Sequence, residues 1–341
     1  MNDARFHAIT GRYASLRIAI LGDFCLDRYL EIDPTKEETS IETGLPVHNV
    51  VAVRAQPGGA GTILNNLVAL GIGAIYPVGF CGNDGEGYEL RRAIAAQPSV
   101  RLDHFLCTDQ RRTFTYCKPL LLRPGQPPRE LNRLDSKNWT PTPRNIEDQL
   151  IASLAMLANQ SDALIVLEQV DIPETGAVTR RVRESLGAWD TALVIADSRR
   201  GLRGFPPLTF KMNAAELASL AGVAANSHLD QIKAAALSLA RQNNHPVFVT
   251  LAEQGIIGAQ PDGTIEHVPA LPTRGPIDIV GAGDAVTANL AAALAAGATL
   301  REALELAMAA ASVVIHQLGT TGTASLAQIR PLLMETQTAR R

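Results

Sequence analysis

Cysteine is scarce in this chain. The four in 341 residues (Cys25, Cys81, Cys107 and Cys117) lie far apart with no C-x-x-C pair, and the seven histidines include no H-x-x-x-H spacing. Reduced thiols and no structural zinc are expected. Charge of one sign is lacking as well. The formal net charge is −3, with Lys and Arg scattered and no basic run, which excludes the electrostatic footprint of a nucleic-acid or membrane-surface binder. No stretch approaches the ~20 apolar residues of a membrane span, and Met1 to Ser15 is polar with no signal-like core. A cytoplasmic protein with no nucleic-acid or membrane partner is the expectation. Neither G-K-[ST] nor G-x-G-x-x-G occurs, so the Walker A and dinucleotide fingerprints are both missing.

What is present is a large apolar fraction, 46% of residues, enough for one sizeable core. Arg17–Gly22, Ala74–Phe80, Ala163–Leu167, Ala192–Ala196 and Val247–Leu251 are short, branched, aliphatic runs separated mostly by helical patterns. Such alternation predicts parallel strands with crossover helices, a three-layer α/β fold whose ligands gather at the carboxyl ends of the strands. Two segments, Arg28–Arg54 and Arg111–Leu134, break the rhythm with strand character and are expected to form a small antiparallel lid, with Arg123–Pro128 as a loop. The Ala- and Leu-rich stretch from Ala285 to Ala311 predicts two packed helices.

The most informative segment is Asp278-Ile-Val-Gly-Ala-Gly-Asp284. Two glycines one residue apart let consecutive N–H groups point at one anion at the positive end of the helix that follows. Asp284 beside a bound phosphoryl group could take the proton from an attacking hydroxyl; equally, it could be an ordinary helix cap. A second glycine cluster, Gly58-Gly-Ala-Gly, opens another helix and suits close approach to a polyhydroxy ligand, with Asn66 offering an amide or simply lying buried. Asp23 and Asp27 follow the first strand, where a carboxylate can accept from two sugar hydroxyls.

The order of Gly22-Asp-Phe-Cys-Leu-Asp-Arg28, Gly58-Gly-Ala60, Asn213-Ala-Ala-Glu216, Thr250-Leu-Ala-Glu-Gln-Gly255 and Gly281-Ala-Gly-Asp284 resembles the ribokinase/PfkB carbohydrate kinases over roughly residues 16 to 330. Gln56-Pro-Gly-Gly-Ala60 and Leu318-Gly-Thr-Thr321 look closest to the members that phosphorylate heptose 7-phosphate. The resemblance implies a ribokinase-like α/β/α fold with a mostly parallel sheet. It also implies one kinase domain over 1–330, with lid segments at about 28–57 and 108–135, and a tail over 331–341. Asp284 is then the base, and the N–H groups of Gly281, Ala282 and Gly283 form the anion hole. Asp23, Asp27, Gly58, Gly59, Asn66 and Asp171 are placed at the sugar, and Asn213, Thr250, Gly255 and Asp278 at the nucleotide. Glu216 is placed at Mg²⁺ through water. The implied ligands are ATP, Mg²⁺, a sugar or sugar phosphate and optionally a monovalent cation such as K⁺, in a homodimer formed through the lid.

Some residues depart from the family pattern. Ile279 and Ala285 stand where hydroxyl residues are usual, Thr62 where the heptose kinases have Asn, and Asp197-Ser-Arg-Arg-Gly201 where they have Asp-Pro-Lys-Gly. The nucleotidyltransferase domain often fused to those kinases is not expected within this length. The functional expectation is an ATP-dependent kinase of a sugar or sugar phosphate. A nucleoside or other small-alcohol kinase of the same fold, or an inactive sugar- or nucleotide-binding relative, are the alternatives.

Overall fold

A computed structural model describes residues 1–189, 193–222 and 228–338. Its centre is a nine-stranded sheet built from β1 (Arg17–Gly22), β6 (Ala74–Gly82), β7 (Phe105–Thr108), β11 (Ala163–Glu168), β12 (Leu193–Ser198), β13 (Thr209–Asn213), β14 (Val247–Thr250), β15 (Ile256–Ala259) and β16 (Ile265–Val268). The order is β16-β15-β14-β13-β12-β11-β1-β6-β7, and only the β14-β15 and β15-β16 pairings are antiparallel. Ala192, expected to open one strand, lies outside the described residues.

The central strands are apolar on both faces because helices cover both. Alternate side chains of one strand feed two separate cores: Ile18 and Ile20 one, Ala19 and Leu21 the other. The first core is closed by α1 (Asp3–Thr10), α2 (Ala60–Ala69), α3 (Gly85–Ala95), α8 (Ala282–Ala295), α9 (Leu300–Val314) and α10 (Leu326–Thr338). The second is closed by α4 (Arg144–Leu157), α5 (Arg180–Ser185), α6 (Ala214–Ala221) and α7 (Leu229–Asn243). Helix α8 is buried all round from Ala285 to Ala293, and its alanines suit a helix enclosed by neighbours. The expected tail over 331–341 needs correction, because residues up to 338 continue α10 with Leu332 and Leu333 buried in the core.

The lid is a separate sheet of β2 (Phe24–Ile32), β5 (Val50–Gly59), β8 (Thr115–Leu121), β9 (Arg129–Glu130) and β10 (Leu134–Ser136), beside a small hairpin of β3 (Glu38–Thr39) and β4 (Pro46–Val47). It starts four residues before the expected position. It is also mixed, since β2 runs parallel to β8 and antiparallel to β5. A single residue, Asp23, separates β1 of the core from β2 of the lid. No described helix is long and apolar enough to cross a membrane.

Candidate active site

The loop before α8 turns at Gly281, whose φ of +82° favours glycine. Gly281 is the N-cap and contributes no side chain, so Asp284 is not the cap. Asp284 lies in the first turn, half-buried and with no side-chain hydrogen bond to the described residues. Burial, then the charge of Asp197, raises its pKa to about 7, with Lys211 pulling the other way and Asp27 adding a small push upward. A carboxylate tuned near neutrality suits general base chemistry.

The amides of Gly281, Gly283 and Asp284 have no acceptor, the condition of a ready anion site at a helix start. One expected donor is corrected. The N–H of Ala282 closes a turn onto the carbonyl of Ile279 at 3.2 Å, so it is not free for an anion. Ala285 is fully buried in the core, and the nearby hydroxyl is that of Thr287, which donates to Asp197 Oδ2 at 3.2 Å.

Beneath Gly283 lies a cation that sequence reasoning missed. Lys211, on β13, is buried and donates to Asp197 Oδ2 at 2.7 Å. A Cβ on Gly283 would stand 3.1 Å from its Nζ, so glycine leaves the ammonium room against the loop. Burial works against this charge, but Asp197, then Asp284 and Glu216, hold the Lys211 pKa above the ordinary lysine value. The available signal was a lone lysine inside the otherwise apolar run Thr209-Phe-Lys-Met.

Asn213 and Thr250 are register partners at the ends of β13 and β14, which brings two expected nucleotide residues side by side. Asn213 and Glu216 form a reciprocal capping box on α6, so one oxygen of each side chain is engaged by backbone. Burial pushes the Glu216 carboxyl up, and the Asn213 N–H partly offsets this. Gly255, at φ +95°, answers to crowding, since a Cβ there would run into the carbonyl of Val268. Asp278 staples its loop, accepting from Val280 N at 3.1 Å and Gly319 N at 3.3 Å.

On the lid side, Asp27 is buried and accepts from Lys118 Nζ at 3.1 Å. Gly58 has no side chain because a Cβ would stand 2.5 Å from Asp27 Oδ2. Asp171 pairs with Lys137 at 2.8 Å near the lid edge. Asn66 is fully buried and donates to Thr62 O and Gly322 O, which makes it a brace between α2 and the 320 loop. Asp23, expected at the sugar, is corrected more strongly: its carboxylate accepts from the amides of Gln169, Val170 and Ala177 and has no free face for a ligand. The two segments with the heptose-kinase likeness meet, as Gln56 bonds both Thr320 and Thr321.

A doubly covered sheet with a β lid, a helix start with open amides and a neutral-range carboxylate that feels the charge of Asp27 in the lid define a ribokinase-like phosphotransferase with an alcohol acceptor. The sequence match is wider than the loop. The model of the pfkB family of carbohydrate kinases matches residues 21–326, and the chain belongs to that family. Among curated relatives, "Bifunctional protein HldE" of Gluconacetobacter diazotrophicus is 29% identical over 93% of this chain and 63% of its own length. The HldE protein of Rhodospirillum rubrum is 30% identical over 92% of this chain and 61% of its own. The chain thus spans less than two thirds of these relatives. Ribokinase of Arabidopsis thaliana, solved with ribose and ATP, superposes with a TM-score of 0.68 at 18% identity, covering 93% of this chain and 98% of its own. Phosphofructokinase-2 of Escherichia coli, solved with fructose-6-phosphate, gives 0.70 at 17%, with 94% and 99% covered. At those identities the likeness shows the fold.

Proposed function

We propose that this protein transfers the γ-phosphate of ATP to a hydroxyl of a sugar phosphate, with heptose 7-phosphate the leading candidate. The observation that carries this reading is Asp284, raised to about 7 and left without a hydrogen bond beside three unpartnered amides and the Lys211 ammonium. In the reaction the sugar oxygen forms a bond to the γ-phosphorus as its proton passes to the Asp284 carboxylate. The bond from that phosphorus to the bridging oxygen breaks, and ADP leaves. The amides of Gly281 and Gly283 with Lys211 stabilise charge that develops on the phosphoryl oxygens. Asp27, held by Lys118, orients the sugar hydroxyls.

Among the described residues no three acidic, His or Cys side chains cluster as a metal cage. Glu216, at the start of α6 beside Asn213, would hold Mg²⁺ through water. When bound, the ion neutralises charge on the β- and γ-phosphates. The heptose assignment is supported by the HldE relatives and by the contact of Gln56 with Thr320 and Thr321. A cytoplasmic homodimer completes the proposal, with β5 as the pairing edge. Val51 and Val53 are exposed there at 47% and 50%, on a strand whose outer side is otherwise unpaired.

The test is phosphate transfer from ATP to a panel of sugars, sugar phosphates and nucleosides, with Mg²⁺ or K⁺ omitted in turn. Asp284→Asn is expected to keep ATP binding and to lower kcat by about 10²–10⁴-fold. A nucleoside as best acceptor would establish the alternative kinase reading, and absence of transfer to every acceptor would establish a binding protein.

A further inference from the structure

The chain passes between core and lid at Asp23, at Gly59–Ala60, across 109–114 and across 137–143. Each crossing is tied to a neighbour through one of two buried charged side chains or the backbone beside it. Asp23 sits alone between β1 and β2. Its Oδ2 accepts from Gln169 N at 2.8 Å and Val170 N at 3.1 Å, and its Oδ1 from Ala177 N at 2.7 Å. Its own carbonyl accepts from Ala60 N at 3.1 Å, which joins the first crossing to the second. Gly176 is side-chain-free where a Cβ would strike Asp23 Oδ1, and Gly59 where one would stand 2.5 Å from Asp23 O.

Arg111 serves the other two crossings. It is 6% exposed and donates to Thr140 Oγ1 and O, Pro141 O and Thr175 O, none of them a carboxylate. Asn138 adds a paired bond to the backbone of Arg112, and Thr142 bonds the carbonyls of Glu174 and Gly176. Asp23, Arg111 (through Thr175 O) and Thr142 each reach the same segment, 169–177. Within it Glu174 holds a left-handed φ of +62°, a strained state that persists only where its surroundings over-determine it. Two buried charges whose hydrogen bonds go to backbone groups and one threonine hydroxyl are a costly way to fix a loop. Ordinary packing does not need them, and a junction whose angle matters does.

We propose that Asp23 and Arg111 are positioning residues which lock the 169–177 strap and so set the pose of the lid over the transfer site. The kinetic part of this inference rests on the sugar kinase reading; the structural part does not. A carboxylate is required because three N–H groups converge on it, whereas an amide would turn its NH₂ against one of them.

The test uses the full chain carrying Asp23→Asn or Arg111→Met, followed first by hydrogen exchange without substrate. Exchange in 169–177 and in β2, β5 and β8 is expected to rise about tenfold or more while β11 to β13 stay protected. With the acceptor identified in the panel, the sugar KM is expected to rise about tenfold, as the competent lid pose falls to about a tenth. The ATP KM should hold and kcat should change less than about threefold. A uniform rise in exchange across core and lid, or an equal loss in both KM values and kcat, would overturn the proposal. A lid-confined rise in the variants, beside a wild type that phosphorylates nothing, would leave the junction standing and remove the kinase reading instead. If Asp23→Asn does not fold, Arg111→Met carries both readings.

Discussion

Charges at the transfer loop and charges in the lid are treated in opposite ways. Around α8, Asp284 has no hydrogen bond, and Lys211 has one acceptor for three protons. On the two long lid strands β2 and β5 the charges have partners: Asp27 with Lys118, Arg28 with Glu86 and Glu89, Arg54 with Glu31. Unmatched charges are costly, and on the proposed function a reacting phosphate would complete them. Matched charges fix a shape, which sugar hydroxyls would then have to fit. On that proposal the loop before α8 is built for charge and the lid for fit.

The largest expected effect that probes this contrast is at Lys211. Lys211→Met should lower kcat/KM for ATP by about 10²-fold, the scale of one lost charge stabiliser. It should also move the acid limb of the pH–rate profile upward, because the ammonium holds Asp284 down against burial and Asp197. An unmoved limb would mean that the two groups are not coupled. Next is stability. The Asp284 pKa is raised on folding, so the folded state binds more protons and its stability falls as pH rises from the unfolded carboxylate value to about 7. Asp284→Asn should consequently stabilise the protein at pH 8, by about 2 kcal/mol once its partial exposure is discounted, and by almost nothing at pH 4. Urea unfolding at both pH values reads this directly.

In the lid, Lys118→Ala should raise the sugar KM about tenfold and leave the ATP KM alone, since it removes one charge-assisted bond and strands Asp27. Equal changes in both would blur the division between the regions. The smallest effect belongs to Ile279→Thr. Ile279 is 74% exposed and packs against nothing that a hydroxyl would disturb, so unfolding free energy should move by no more than about 0.5 kcal/mol.

Much of this was legible in sequence because it is local. The Gly281–Asp284 turn, the branched strands and the alanine-rich helices announce themselves within a few residues of chain. What was illegible depended on where distant backbone runs. Nothing near Asp23 says that three amides some 150 positions later will claim it, and a lysine in an apolar strand is mute until Gly283 is laid over it. Asn213 and Glu216 were ambiguous for another reason. A capping box and a metal-side motif use the same residues at the same spacing, and the fold shows the cap.

The bond from Gln56 to Thr320 and Thr321 joins positions some 265 residues apart. The lid strands β2 and β5 are thus made on the ribosome some 220 residues or more before the Gly281–Asp284 loop and its brace. A nascent chain holding the lid and most of the sheet still has no place for a phosphoryl group. Activity should arise abruptly once the segment from 281 to 321 has been made, and a ribosome stalled before residue 281 should display a lid and sheet that look largely built and catalyse nothing.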